Sequence, residues 1–193
     1  MTYTALDLYS DGLDFLTGIV HGTDAQTWRQ DSPCAGWTAL DVLGHVCDAT
    51  SAGTRILAGE QFEFTAHQPP AEAVDGEPAA VWDALAAQAR SALDGVDDLE
   101  RVVQSPMGPR TVAEGLSFPA ADLFLHGWDI AASGGRSVTI PSAAVGFIDA
   151  MFDGLPDEAV RRPGVFGPAV TPPEGATPTE ALMARCGRDP RLS

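Results

Sequence analysis

The sequence predicts an all-α protein built as a four-helix bundle with a long crossover connection. Four segments repeat apolar residues every three or four positions, which is the period of an amphipathic helix. Pro- and Gly-containing stretches separate these segments, and the one over 59–77 is a long connection. Helices with one apolar stripe bury it against one another, so a bundle is the natural architecture. The 193 residues, 45% of them hydrophobic, fit a single domain spanning 1–193.

The first two bundle helices are predicted from their apolar stripes and from one start signal. The first covers 4–21, with Leu6, Tyr9, Leu13, Leu16 and Val20 on one side. The second begins after Thr38, which acts as N-cap with Asp41 at the third helical position, and it ends near Gly59. Its inward stripe consists of Val42, His45, Ala49, Ala52 and Ile56. His45 therefore falls on the core side, among small residues.

The other elements follow from similar signals. The third helix has Pro78 in its first turn and the stripe Val81, Leu85, Ala89, Ala92 and Val96. A Pro-Met-Gly-Pro turn within 100–115 predicts a short hairpin. The fourth helix is predicted from Pro119 to Ser133, and shorter extra helices over 141–152 and 177–185 flank a loop-rich tail. The last of them starts with an N-cap, a proline and a glutamate, at Thr177, Pro178 and Glu180.

Composition excludes several classes of partner. The net charge is −16 and all 11 basic residues are arginine, which argues against nucleic acid and anionic membranes. Three cysteines without CxxC spacing are typical of a reduced, intracellular protein. We identify neither a signal peptide nor a transmembrane run. We therefore expect a cytoplasmic monomer or homodimer whose partner is a small molecule.

The stretch from Asp122 to Asp129 carries the chemistry. Asp122 and His126 are four residues apart in an apolar helix, so they share one face. A carboxylate and an imidazole on a buried face need a partner or a metal. His45, on another helix, supplies a third candidate ligand, although it could instead be a core histidine bonded to a carbonyl. We predict that His45, Asp122 and His126 bind one divalent metal between two helices.

Two further carboxylates are candidates for orienting these histidines. Asp129 lies three residues after His126 and Asp48 three residues after His45, so either can bind an imidazole or pair elsewhere. A set of two nitrogens and one carboxylate suits Zn²⁺, and also Fe²⁺, Ni²⁺ or Mn²⁺. GxSxG, HExxH and Gly-rich phosphate loops are all absent from the sequence.

Other polar and aromatic residues receive simpler interpretations. Cys34 and Cys47 are interpreted as small packing residues, and Trp37 and Trp128 as core anchors. Three arginines, Arg55, Arg110 and Arg136, are candidates to receive an anionic substrate, and the sequence does not choose among them.

Three motifs in order resemble the DinB-like superfamily. They are the run from Ser32 to Thr38 followed by His45, the run His126-Gly127-Trp128-Asp129-Ile130-Ala131, and the tail from Phe166 through Pro190. More narrowly, they resemble the actinobacterial metal-binding branch related to the N-terminal domain of mycothiol-dependent maleylpyruvate isomerase. The resemblance implies a bundle with a metal at one end, held by a histidine and a Glu-xxx-His pair. These positions correspond to His45, Asp122 and His126, with aspartate replacing the glutamate.

The resemblance also implies a function. Members of the family often transfer a thiol cofactor such as mycothiol to an electrophile, or use it in isomerisation, because a metal-bound thiol loses its proton near neutral pH. We therefore expect a metal-dependent S-transferase or isomerase. The additional C-terminal domain of the isomerase is absent from this sequence, so we do not expect maleylpyruvate as substrate. The alternatives are a cyclase, hydrolase or other tailoring enzyme of secondary metabolism that activates water, or a non-catalytic protein that binds metal or small molecules.

Overall fold

The computed structural model describes residues 3–60, 64–105, 108–161 and 166–192. Its elements are α1 (Ala5–His21), α2 (Ala39–Leu57), α3 (Pro78–Asp94), β1 (Val102–Ser105), β2 (Gly108–Thr111), α4 (Val112–Ser133), α5 (Ser142–Asp153), α6 (Asp157–Val160) and α7 (Pro178–Arg185). Single 3₁₀ turns lie at Thr27–Arg29, Pro70–Ala73 and Pro190–Leu192. The only sheet among these residues is the antiparallel β1–β2 pair. The predicted all-α, DinB-like fold is confirmed.

Helices α1 and α4 form the closest contact of the bundle. A Cβ atom added at Gly12 would lie 2.8 Å from Leu123 Cδ1, and one added at Gly127 would lie 2.8 Å from Phe15 Cε1. Both distances are too short for a real side chain, so each glycine allows the other helix to approach. Because the residue numbers rise together along both helices, α1 and α4 run in the same direction. The buried side chains of Tyr9, Trp82 and Phe124 are among the largest in the core that surrounds this contact.

The directions of α2 and α3 explain the long crossover. The bundle neighbours are α1–α4, α4–α2, α2–α3 and α3–α1. Ile56, near the end of α2, lies beside Gly115, near the start of α4, so these helices are antiparallel. His21 at the end of α1 pairs with Asp83 near the start of α3, so α3 also runs against α1. Consequently α2 and α3 are parallel neighbours, and the connection between them must return along the bundle.

Most predicted helix starts are confirmed, and one is wrong. Helix α4 begins at Val112 rather than at Pro119, because Thr111 and Glu114 form a capping box that starts the helix earlier. Pro119 therefore lies inside the helix, where it removes one backbone hydrogen-bond donor without ending the helix.

Two connections also differ from their prediction or fall partly outside the described residues. The tail contains the one-turn helix α6 where the sequence suggested only loop. The predicted hairpin is present as β1 and β2, although Pro106 and Met107 of its turn lie outside the described residues. Among the helices that the structure describes, none is both long and apolar enough to span a membrane.

Candidate metal centre

Three side chains from two helices converge between α2 and α4. One ligating atom each of His45, Asp122 and His126 lies within 4.8 Å of the other two. His45 Nε2 is 3.5 Å from Asp122 Oδ2, and the ring centroids of His45 and His126 are 4.9 Å apart. The structure therefore brings together all three residues that the sequence singled out.

The start of α2 fixes the position of His45 along its helix. Thr38 accepts a hydrogen bond from the backbone N–H of Asp41, and the Asp41 carboxylate accepts one from the N–H of Thr38. Thr38 also forms an isolated β-bridge with Asp31, which fastens the preceding loop to the helix start. With the start fixed, the helical period places His45 opposite α4, where Asp122 and His126 lie one turn apart.

His126 contacts a buried carboxylate through one of its ring nitrogens. Nδ1 lies 2.9 Å from Asp129 Oδ2, and Asp129 is fully buried. An ionised carboxylate only accepts hydrogen bonds, so in the neutral imidazole this contact places the proton on Nδ1 and the lone pair on Nε2. Nε2 is therefore the nitrogen available to a metal, as in sites where a carboxylate orients a ligand histidine.

Asp129 also binds an arginine from the C-terminal segment. Arg188 donates from Nε to Asp129 Oδ1 at 3.1 Å and from Nη2 to Asp129 Oδ2 at 2.8 Å. The two roles that the sequence left open for Asp129, orienting an imidazole or pairing with an arginine, are both present. Sequence reasoning missed Arg188, since its only signal was the Gly187-Arg188-Asp189-Pro190 motif, which says nothing about a contact with α4.

Cys34 belongs to the same hydrogen-bond network. Its Sγ lies 3.1 Å from Asp129 Oδ2, to which it donates, and it accepts from Arg188 Nη2 at 3.4 Å. Burial and the Asp129 charge raise the pKa of the Cys34 thiol well above its usual value. Cys34 therefore stays protonated and acts as a hydrogen-bonding residue, beyond the packing role predicted from sequence.

Cys34, His126 and Asp129 form a second group of close ligating atoms. The Arg188 guanidinium already donates two hydrogen bonds to Asp129 and one to Cys34. A metal there would meet this fixed positive charge and a protonated thiol. Of the two groups, the one formed by His45, Asp122 and His126 is therefore the better cation site.

Both site carboxylates are held in the ionised form. Burial acts to raise the pKa of Asp122, but the hydrogen bond with His45 and nearby positive charge, including that of Arg188, outweigh it, and the pKa falls below its usual value. Burial also opposes ionisation of Asp129, where the Arg188 charge and hydrogen bonds with His126 and Arg188 hold the pKa far below its usual range. Asp122 is thus available as an anionic ligand.

Aromatic rings surround the solvent side of His45. The Trp37 ring centroid is 5.2 Å from that of His45, and the Phe64 centroid is 6.1 Å away. The His45 and Asp122 side chains are 21% and 25% exposed, and Phe64 is 40% exposed. Trp37, which the sequence suggested as a core anchor, is only partly buried and borders the site.

Asp48 has a different partner from the one considered in the sequence. Its carboxylate accepts from the backbone N–H of His67 and lies 2.8 Å from His67 Nδ1. Asp48 therefore anchors the crossover segment to α2, one turn from His45. This contact lies three residues after Phe64, whose ring is beside His45.

The three arginines proposed for an anionic substrate lie elsewhere. Arg55 pairs with Glu60 near the end of α2, away from His45. Arg136 donates to the Ile19 carbonyl and to Thr23. Arg110 lies on β2, at the start of α4. None of these positions is beside the three converging ligands.

The donor set fits zinc. Two imidazole nitrogens and one carboxylate are a known zinc ligand combination, with metal–ligand distances near 2 Å. Donor atoms on a tetrahedral zinc are therefore about 3.3 Å apart, close to the 3.5 Å between His45 Nε2 and Asp122 Oδ2. Three protein ligands leave a position open, which distinguishes catalytic from structural zinc sites.

The fold and the site together define a DinB-like helical bundle with two histidines and one carboxylate converging between two helices. Comparison with known families agrees. Residues 9–131 match the family described as the mycothiol maleylpyruvate isomerase N-terminal domain, and the chain belongs to this family. The matched region contains His45, Asp122, His126 and Asp129 but not Arg188.

Two crystal structures resemble the chain. One is the mycothiol-dependent maleylpyruvate isomerase, at 17% identity and a TM-score of 0.63, covering 76% of this chain and 67% of that one. The other is a histidine-to-alanine mutant of that isomerase, at 16% identity with the same coverage and TM-score. At this identity the likeness shows the fold alone. Among curated proteins, none matches this chain.

Proposed function

We propose that this protein is a zinc-dependent enzyme that uses a mycothiol-type thiol, either transferring it to a small electrophile or isomerising that electrophile. The observation that carries the proposal is the convergence of three ligating side chains, His45, Asp122 and His126, within 4.8 Å. Three ligands leave a position open to an external ligand. The name of the related crystal structure, a mycothiol-dependent isomerase, supports a thiol as that ligand.

Each residue of the site has a role in this proposal. His45, Asp122 and His126 would hold the metal, and Asp129 keeps the proton on His126 Nδ1. The metal would supply Lewis acidity, which favours the thiolate form of a coordinated thiol at neutral pH. Cys34 remains a protonated hydrogen-bond donor to Asp129 and therefore does not compete for the open position.

The surroundings favour a neutral, apolar electrophile over a dicarboxylate. Trp37 and the partly exposed Phe64 border His45 with aromatic surface. Arg188, the cation nearest in the hydrogen-bond network, is buried and occupied by Asp129, Cys34 and the Cys186 carbonyl. A net charge of −16 further disfavours an anionic substrate.

Cobalt substitution tests the thiol part of the proposal. A thiol that ligates cobalt adds an intense near-ultraviolet band, which we expect when mycothiol is titrated into the cobalt protein. Mass spectrometry should then detect the mycothiol conjugate of a neutral aromatic electrophile. A cobalt spectrum that stays unchanged at saturating thiol would reject thiol chemistry, and the metal-dependent hydrolase or cyclase class would replace it.

A competition between electrophiles tests the substrate class. With zinc and mycothiol present, a neutral aromatic electrophile should react faster than maleylpyruvate, and Phe64→Ala should reduce that advantage. Faster turnover of the dicarboxylate maleylpyruvate would contradict the proposal that the aromatic surface favours a neutral electrophile. It would leave the proposed thiol chemistry intact.

A further inference from the structure

A buried ion pair joins the C-terminal segment to the centre of α4. Arg188 is 6% exposed and Asp129 is fully buried, and the two share two hydrogen bonds of 3.1 and 2.8 Å. The planar guanidinium of arginine matches a carboxylate in this two-bond geometry, which fixes orientation as well as distance. The contact thus fixes the carboxylate that in turn bonds His126.

The tail holds Arg188 firmly in place. The backbone N–H of Arg188 donates to the Met183 carbonyl at 3.0 Å, and Arg188 Nη1 donates to the Cys186 carbonyl at 2.9 Å. The guanidinium carbon lies 5.4 Å from the centroid of the Phe166 ring. Gly187, at φ +83°, makes the turn that directs the following residue inwards. These contacts restrict Arg188 to one arrangement before any ligand arrives.

Asp129 depends on that arrangement. Its Oδ2 is within hydrogen-bonding distance of His126 Nδ1, Arg188 Nη2 and Cys34 Sγ at once. Without the two guanidinium hydrogen bonds, this carboxylate would be free to turn towards other donors. Asp129 would then no longer be a dedicated acceptor for the Nδ1 proton of His126.

We infer that Arg188 is a positioning residue for the metal centre, fixing Asp129 and through it the orientation and tautomer of His126. The expected effect of Arg188 on zinc affinity rests on the proposed metal site. Its expected effect on the His126 ring rests only on the geometry of the metal-free protein. The C-terminal segment, outside the residues that match the family, is thereby part of the site.

Zinc affinity provides the first test. Arg188→Met should weaken zinc binding, measured by competition with a chelator, by about 10- to 100-fold, as loss of such outer partners usually does. Arg185→Met is the matched control, since Arg185 lies in the same segment and pairs with Asp149 and Asp153. It should leave zinc affinity unchanged. Equal losses in both variants, or none at Arg188, would overturn the inference.

Combining substitutions separates positioning from general damage. If Arg188 acts through Asp129, zinc affinity in Asp129→Asn/Arg188→Met should match that of Asp129→Asn alone. Multiplied losses would show that the two residues act independently and would refute the inference. Should Arg188→Met fail to fold, Arg188→Lys replaces it, because lysine keeps the charge but not the two-pronged geometry. Its zinc affinity should then be reduced, and wild-type affinity would contradict the inference.

The His126 ring gives a readout that does not need the metal. In metal-free protein labelled with ¹⁵N-histidine, at a pH about two units above the usual imidazole pKa of about 6.5, wild-type His126 should carry its proton on Nδ1. Arg188→Met should show a tautomer mixture, whereas Arg185→Met should match wild type. An unchanged tautomer in Arg188→Met would reject the inference. Failure of wild-type protein to bind zinc would instead reject the proposed function, without affecting this measurement.

Discussion

At the scale of single residues, the site depends on how His126 uses its ring. Nδ1 contacts the buried Asp129, and one ring nitrogen of His126 also lies within 4.8 Å of a ligating atom of His45 and of Asp122. Only 7% of the His126 side chain is exposed, against 21% for His45. A buried imidazole that bonds a carboxylate and lies beside two further potential ligands has the arrangement expected of a metal ligand.

The first prediction concerns His126 directly. The purified protein should carry about one divalent metal per chain, most often zinc, and His126→Ala should lose it, because the variant retains only two of the three protein ligands. Elemental analysis by mass spectrometry measures the content. His21→Ala is the control, since His21 is half exposed and pairs with Asp83 on the bundle surface. If the His126→Ala protein keeps its full metal content, the assignment of His126 as a metal ligand is wrong.

At the scale of the helix, the start of α2 determines where His45 lies. Asp41 accepts hydrogen bonds from Thr38 and from the backbone N–H of Ala71 in the crossover. Burial acts against ionisation of Asp41, but these hydrogen bonds outweigh it and lower its pKa. One carboxylate thus fastens both the helix and the segment that passes over it.

The second prediction is a dependence of this cap on pH. Asp41→Ala should destabilise the protein by about 1 kcal/mol at neutral pH. Because the native pKa is lowered, the stabilisation is present above the ordinary aspartate value of about 4 and is lost as pH falls through the native value. The difference between wild type and variant in urea unfolding should therefore be smaller at acidic pH, below the ordinary aspartate value, than at neutral pH.

Asp41→Asn is the matched control for this prediction. Its amide oxygen can still accept at the cap but does not titrate over this range, so the variant should lack the Asp41 contribution to acid sensitivity. A penalty in Asp41→Ala that is equally large at both pH values would show that the ionised carboxylate is not the stabilising form.

The third prediction compares two glycines in helices. A Cβ added at Gly44 would overlap the carbonyl oxygen of Pro70, so Gly44→Ala should displace the crossover and cost about 1 to 3 kcal/mol. Gly146, exposed within α5, has no atom within 4 Å of the corresponding position. Gly146→Ala should stabilise the protein by up to about 1 kcal/mol. Urea unfolding of both variants measures the contrast, and equal effects would contradict the packing at Gly44.

At the scale of the whole molecule, the core and the site occupy largely different parts of the bundle. The fully buried core includes Tyr9 on α1, Trp82 on α3 and Phe124 on α4, and it extends through all four bundle helices. The candidate ligands occupy one part of the α2–α4 contact. We therefore expect a core of this extent to fold without a metal, unlike that of a small metallo-domain.

The fourth prediction follows from that separation. Removing the metal with a chelator should leave the helical far-ultraviolet circular dichroism intact. The thermal midpoint should fall, because the free energy of metal binding no longer stabilises the folded state. Restoring zinc should recover the midpoint. His126→Ala, measured the same way, should show the lower midpoint with or without zinc. Loss of the helical signal on chelation would mean that the metal is structural, which would favour the non-catalytic alternative.

The sequence alone determined those features that depend on neighbouring residues. Apolar spacing and the Thr38–Asp41 and Thr177–Glu180 caps predicted helices that the structure confirms. The four-residue interval between Asp122 and His126 placed both on one face. Helical periodicity and capping involve residues within about one turn, so the linear sequence contains them in full. Pro119 misled the prediction of α4, because the capping box of Thr111 and Glu114 is the stronger signal and starts the helix seven positions earlier.

Only the tertiary structure decided which distant residues meet. His45 lies beside Asp122, Asp48 pairs with His67, and Arg188 binds Asp129, which is 59 positions earlier in the chain. These pairings depend on helix packing, on the route of the crossover and on the turn at Gly187, none of which leaves a local pattern in the sequence. Burial then determines the chemical state of these pairs. An ion pair shielded from water keeps a geometry and a protonation state that the same residues would not maintain in solvent.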